Sequence, residues 1–123
     1  MREWLVAGAV IETDDGVLLV RNLRRDGEVD WTPPGGVIEH AERGDVRDGL
    51  AREVLEETGL TIATWGPKLY EVEAEAPELG WVMRAQIWQV HATVGELVVG
   101  NDPDGIVTDA AYVPLGACDE RLA

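Results

Sequence analysis

Only one stretch of this chain has the spacing of an α-helix, and segments that read as strands surround it. In "DVRDGLAREVLEETGL", Val46, Leu50 and Val54 recur every fourth position and so share one face. Asp45 stands where an N-cap is wanted, with Asp48 three residues on imitating the acid of a capping box. Gly59 ends the pattern as a C′ glycine. One helix cannot bury its apolar stripe alone, so it must pack on a sheet.

The flanking segments supply that sheet. "EWLVAGAVI" (3–11) is apolar and β-branched enough for a buried strand, and "TDDG" turns it into "VLLVRN" (17–22). "RRDGEVD" reads as a polar loop, and "WTPPGG" is extended only briefly before Pro33 and Pro34. "LTIATW" is a short strand, "KLYEVEAEA" a half-buried one, and "WVMRAQIWQVHATV" (81–94) the longest. "GELVV" and "AAYVPL" add short strands around the turn "NDPDG", and "GACDERLA" resembles the first turn of an incomplete helix. Strands on both sides of one strong helix predict an α/β fold with a mixed sheet, in a single domain over 1–123.

Charge and composition narrow the partners. The 24 acidic residues against 10 basic ones give a formal charge of −14, a surface that repels nucleic acid and needs a cation between itself and any polyanion. The apolar runs are too short to cross a membrane, and no basic-then-apolar leader opens the chain. Cys118 has no second cysteine to pair with and fits a reducing, cytoplasmic setting. A homodimer is left open.

Glu53, Glu56 and Glu57 occupy positions i, i+3 and i+4, so three carboxylates share a helical face that the apolar stripe does not use. Like charges so placed repel, and clustered carboxylate oxygens suit Mg²⁺ or Mn²⁺ rather than zinc. Arg52 is placed to orient one of them through its planar fork. The bland alternative is a solvated acidic face.

The segment "PPGGVIEHAERGDVRDGLAREVLEETGL" (33–60) resembles the Nudix box, G-x5-E-x7-R-E-U-x-E-E-x-G-U with U aliphatic. Gly36, Glu42 and the run Arg52 to Leu60 match it, except that nine residues rather than seven separate Glu42 from Arg52. The two extra residues fall naturally around Arg43–Gly44, in a loop that tolerates them. The departure puts Glu42 in question as a supporting residue, with Asp45 as its substitute.

The resemblance implies an α/β/α sandwich around a curved mixed sheet, and hydrolysis of the diphosphate linkage in a nucleoside diphosphate joined to another moiety. It implies metal binding by Glu53, Glu56, Glu57 and Gly36, with Arg52 orienting Glu53, while Gly35 and Gly59 shape the flanking loops. Glu53 and Glu56 are the box candidates for the general base. Many relatives also carry a late-loop glutamate, which falls on Ile106 here, leaving Asp104 as first substitute and Asp102 and Asp109 behind it. Turn formation accounts for those aspartates equally well. Arg21, Arg24 and Arg25 are candidates to meet substrate phosphates, and His40 lies inside the box loop. His91 reads as structural, and the tryptophans 31, 65, 81 and 88 as core, interface or a stacking platform. The alternative function is a catalytically silent Nudix-fold module that senses a nucleotide. The insertion and Ile106 favour it, and the intact "REVLEE" favours the enzyme.

Overall fold

A computed structural model describes residues 2–39 and 44–117 of the chain. Seven strands and one α-helix follow in the order β1 (Arg2–Thr13), β2 (Gly16–Leu23), β3 (Val29–Thr32), β4 (Gly35–Val37), α1 (Val46–Thr58), β5 (Thr61–Ala76), β6 (Trp81–Val94) and β7 (Val107–Val113). The main path through the sheet runs β3-β2-β1-β6-β5, with β4 added to β1 and β7 to β2. β1 and β6 are parallel, from Arg2↔Trp81 to Ile11↔Val90, and the other pairings are antiparallel. The expected α/β fold with a mixed sheet is what forms.

The core explains why. Along β1, Ala7, Ala9 and Ile11 alternate onto the face that α1 covers, joined by Leu18, Ile38, Leu60 and Val90. From the helix, Leu50 and Val54 are fully buried, while Val46 packs at the margin. Small residues on β1 let the helix approach closely. Trp65 and Trp88 close the edge of this core, ring against ring at 5.9 Å in an edge-to-face pair. Among the described residues no helix covers the other face, where Tyr70 and Val72 stand exposed on β5. Among the described residues no helix is long and apolar enough to cross a membrane.

Several sequence expectations need correction. The segments 60–65 and 68–76 form one strand, because register shifts between Ile62 and Tyr70 carry β5 past Gly66 and Pro67 without ending its pairing with β6. The expected strand at 95–99 does not form. Its Val98 N–H instead donates to the Thr58 carbonyl at 2.8 Å, satisfying the end of α1. The supposed loop after β2 contributes β3, which pairs with Val20 to Leu23. Asp45 is the N-cap, but its carboxylate accepts from Arg47 N–H, not from the N3 position of a capping box. His91 is exposed on β6. Leu115–Ala117 makes a single 3₁₀ turn, and the remainder of that expected helix, with Cys118, lies outside the described residues.

Candidate active site

Three elements meet at the acidic face of α1: the helix, the β4 strand Gly35–Val37, and the 102–107 loop leading into β7. Together they line a cleft of about 430 Å³ that contains Gly35, Gly36, Arg52, Glu53, Glu56, Glu57, Asp102 and Asp104. The helix delivers its three glutamates by its pitch alone, and Gly59, with φ of 79°, ends it one residue after Thr58.

Glu57 is the most buried of the three, 5% exposed, and its Oε2 accepts from the Gly35 backbone N–H at 3.0 Å. Burial, and then the negative charge of Glu53, push its carboxyl up to about 8. Burial also raises the Glu53 carboxyl, partly opposed by the adjacent Arg52 guanidinium. Asp102 adds negative field at both groups. Arg52 bridges the other pair, with Nη2 at 3.2 Å from Glu53 and Nη1 at 3.1 Å from Glu56.

The glycines are explained by contact. A Cβ at Gly35 would collide with the Ala7 carbonyl oxygen, and one at Gly36 would lie 2.9 Å from the Glu53 carboxylate. The backbone of β4 thus lies directly against the acidic group.

The donor set fits a hard divalent cation, since every group is carboxylate or carbonyl oxygen and two carboxyls are held partly dehydrated beside each other. Among the described residues, however, no three Asp, Glu, His or Cys side chains converge as a ligand group. Arg52 holds Glu53 and Glu56 on its fork in that arrangement.

The other candidates separate clearly. Asp104 is exposed at the rim of the cleft. Asp102 reaches back into its own loop, accepting from the N–H groups of Asp104, Ile106 and Val107. Arg24 lines the cleft but is forked onto Asp30, with Nε to Oδ2 and Nη2 to Oδ1 both at 3.0 Å. Arg21 is not brought to the cleft; its guanidinium donates to Thr108 at 2.8 Å. Asp109 and Arg25 are exposed away from it. His40 and Glu42 lie outside the described residues.

Sequence reasoning missed Asn22, a 4% exposed residue that lines the acidic cleft. It also lines a second cavity of about 340 Å³, floored by Val6, Ala85 and Ile87. A signal was present. Leu18 and Val20 alternate onto a buried face, and the same period puts an amide at position 22.

The model of the NUDIX domain family matches residues 2–121. An uncharacterised Nudix hydrolase from Bacillus subtilis, YvcI, is 46% identical over 57 residues, which is 46% of this chain and 33% of that protein. A nucleoside diphosphate-linked moiety X motif 6 protein from Xenopus laevis is 44% identical over 55 residues, 45% of this chain and 24% of that one. The matched stretch thus spans a third or less of these relatives. Among solved structures, a MutT Nudix hydrolase from Burkholderia pseudomallei superposes with a TM-score of 0.76 at 24% identity, covering 94% of this chain and 86% of that one. The E. coli ORF135 protein gives 0.78 at 24% identity, with 98% and 80% covered. At these identities the two structures speak to the fold.

Proposed function

The chain belongs to the Nudix family, and from that premise we propose that it hydrolyses the diphosphate linkage of a nucleoside diphosphate joined to another moiety. The observation that carries the reading is the buried Glu57 beside Glu53, two carboxyls of raised pKa against the glycine backbone of β4. A protein stores such unfavourable proximity where something positive is to be held.

On this reading Glu53, Glu56 and Glu57, with the Gly36 carbonyl, hold Mg²⁺ or Mn²⁺. Bound there, the cation supplies charge neutralisation for the diphosphate and acidifies a water. Arg52 fixes the Glu53 and Glu56 carboxylates by its fork, and on engagement of a cation its Nη1 would exchange Glu56 for a substrate oxygen, while Glu39 lies 3.9 Å from Nη2. Glu53 or Glu56 takes the proton of the attacking water, with Asp104 at the rim as the late-loop alternative. Gly35 N–H keeps Glu57 in place while the others move. Arg24 lines the same cleft, forked onto Asp30, and is a cation available to an incoming phosphate.

A hydrolysis screen over nucleoside triphosphates and nucleotide sugars, with Mg²⁺ and Mn²⁺ in parallel, tests the proposal. Release of a nucleoside monophosphate or of pyrophosphate, dependent on the cation, is the expected result. Binding of nucleotides with no turnover under any metal condition would transfer the chain to the sensing alternative, which Ile106 in the late loop favours.

A further inference from the structure

Asn22 is an amide with one half occupied and one half free. Its Nδ2 donates at 2.9 Å to Asp30 Oδ1 and at 2.9 Å to Thr32 Oγ1, which uses both amide hydrogens. A carboxylate accepts only, so the amide cannot be turned the other way round against Asp30. The two-pronged pair with Arg24 keeps Asp30 ionised and in place, and holds its carboxyl below the usual range. Oδ1 of Asn22 accepts from no donor among the described residues, although the residue is 96% buried, being 4% exposed. A buried carbonyl oxygen without a donor is expensive, and natural structures rarely retain one without a use.

Its location supplies the use. Asn22 sits opposite a β-bulge: β7 carries Thr108 as an extra residue between Asp109 and Val107, while β2 keeps its regular alternation, and bulges are common beside functional sites. It lines both the acidic cleft and the adjoining cavity over Val6, Ala85 and Ile87, as Arg24, Gly35 and Gly36 also do. A ligand with its diphosphate in the first and its remaining moiety in the second must pass this residue.

Resting on the reading of the cleft as a diphosphate site, we infer that Asn22 is a specificity-determining residue whose fixed Oδ1 selects a moiety carrying an N–H or O–H donor beside the diphosphate. A donor there is available from a ribose hydroxyl or from a base amino or imino group, and both present the same chemistry to the oxygen. A moiety without one leaves the oxygen stripped of water and unpaired, and asymmetry of this kind discriminates more sharply than added contact area does. Thr32 and Asp30 are positioning residues, acting on the ligand only through the Asn22 amide.

The test measures binding of methylene-bridged, non-hydrolysable triphosphates in Mg²⁺, alongside turnover of their natural counterparts. Adenosine and guanosine compounds are compared with 2′,3′-dideoxyadenosine for the sugar arm and with purine riboside for the base arm. Wild-type protein should favour the donor-bearing member of at least one arm by about tenfold or more, the value of one well-made hydrogen bond. Asn22→Leu should bring that ratio close to one. Thr32→Val keeps a β-branched residue on β3 and frees one amide hydrogen, so the ratio should fall in part while the protein still folds with a melting temperature only a few degrees lower; it decides the matter if Asn22→Leu does not fold. Equal binding across both arms in the wild type, or a ratio untouched in both variants, overturns the inference. Discrimination in binding without turnover would refute the hydrolytic reading while supporting the role of Asn22.

Discussion

Replacing Glu57 by glutamine removes a charge and keeps the acceptor that Gly35 N–H needs, so it isolates the electrostatic cost of the acidic group. In the folded protein this carboxyl is raised from 4.5 to about 8. The unfolded chain therefore releases the proton first as pH rises, and the metal-free native state loses stability between about 4.5 and about 8. At ~1.4 kcal/mol per pH unit the full rise sets an upper bound on the order of 5 kcal/mol. Water penetration and movement of Glu53 reduce it, and ~2–3 kcal/mol is the working figure. For a chain of this size that corresponds to a melting temperature roughly 6–15 °C higher for Glu57→Gln than for wild type at pH 8.5 in chelator. The difference should shrink toward zero well below 4.5, at about pH 3.5, where wild-type Glu57 is protonated in both states. Millimolar Mg²⁺ should reverse the ranking at pH 8.5, because a cation that binds only the folded carboxylates stabilises the wild type by mass action. Thermal melts at both pH values, with and without Mg²⁺, give the comparison. A metal-free variant no more stable than wild type at pH 8.5 would refute the argument from burial.

Turnover of Arg52→Lys should fall at least tenfold with little change in stability, because an ammonium cannot bridge Glu53 and Glu56 as the fork does; steady-state kinetics beside a melt would check it. Gly36→Ala should melt within ~1 kcal/mol of wild type, since the Glu53 carboxylate can swing away from the new methyl, yet lose most activity. Gly35→Ala meets the Ala7 backbone instead and should be visibly destabilised in the same melt. Asp104→Asn should lower the rate strongly, with recovery at high pH, if that acid takes the proton, and an unchanged rate would leave the loop to turn formation. Asp102→Asn should cost ~1–3 kcal/mol by denaturant titration in either case, because three backbone N–H groups point at its carboxylate.

The helix and the strand at 81–94 were legible because each is a long uninterrupted run, although β5, continuous over 16 residues, is the longer strand and not β6 with 14 as the sequence suggested. Leu50 and Val54 had to face inward, and the run Trp81 to Val94 contains no Gly or Pro to break it, so β6 spans it from end to end. The hidden features depend on partners distant in sequence. Gly66 and Pro67 look like a break, yet the register shifts against β6 let the strand continue. Residues 97–99 have strand composition, but Val98 is taken up by the end of α1. The acidic cluster could be placed on one face by helical pitch alone, whereas its pressure against Gly35 and the difference in burial between Glu53 and Glu57 come from the packing of β4 on β1. Arg21 and Arg24 were equivalent in sequence as cations after a strand. Thr108 and Asp30 separate them.

The parallel ladder between β1 and β6 also governs how the molecule comes to exist. It joins residues about eighty positions apart, from Arg2 with Trp81 to Ile11 with Val90, at the centre of the sheet. Closing so long a loop precedes any reward from the contacts it permits, so folding should be slow for a domain of this length. During synthesis α1 leaves the ribosome before β6 exists, and Leu50 and Val54 then shelter against β1, β4 and Ile38 without Leu60 or Val90. The acidic group is therefore assembled on a half-built sheet, before β6 and the 102–107 loop are available. Truncation before residue 81 should leave a chain that collapses without acquiring the Glu57–Gly35 contact.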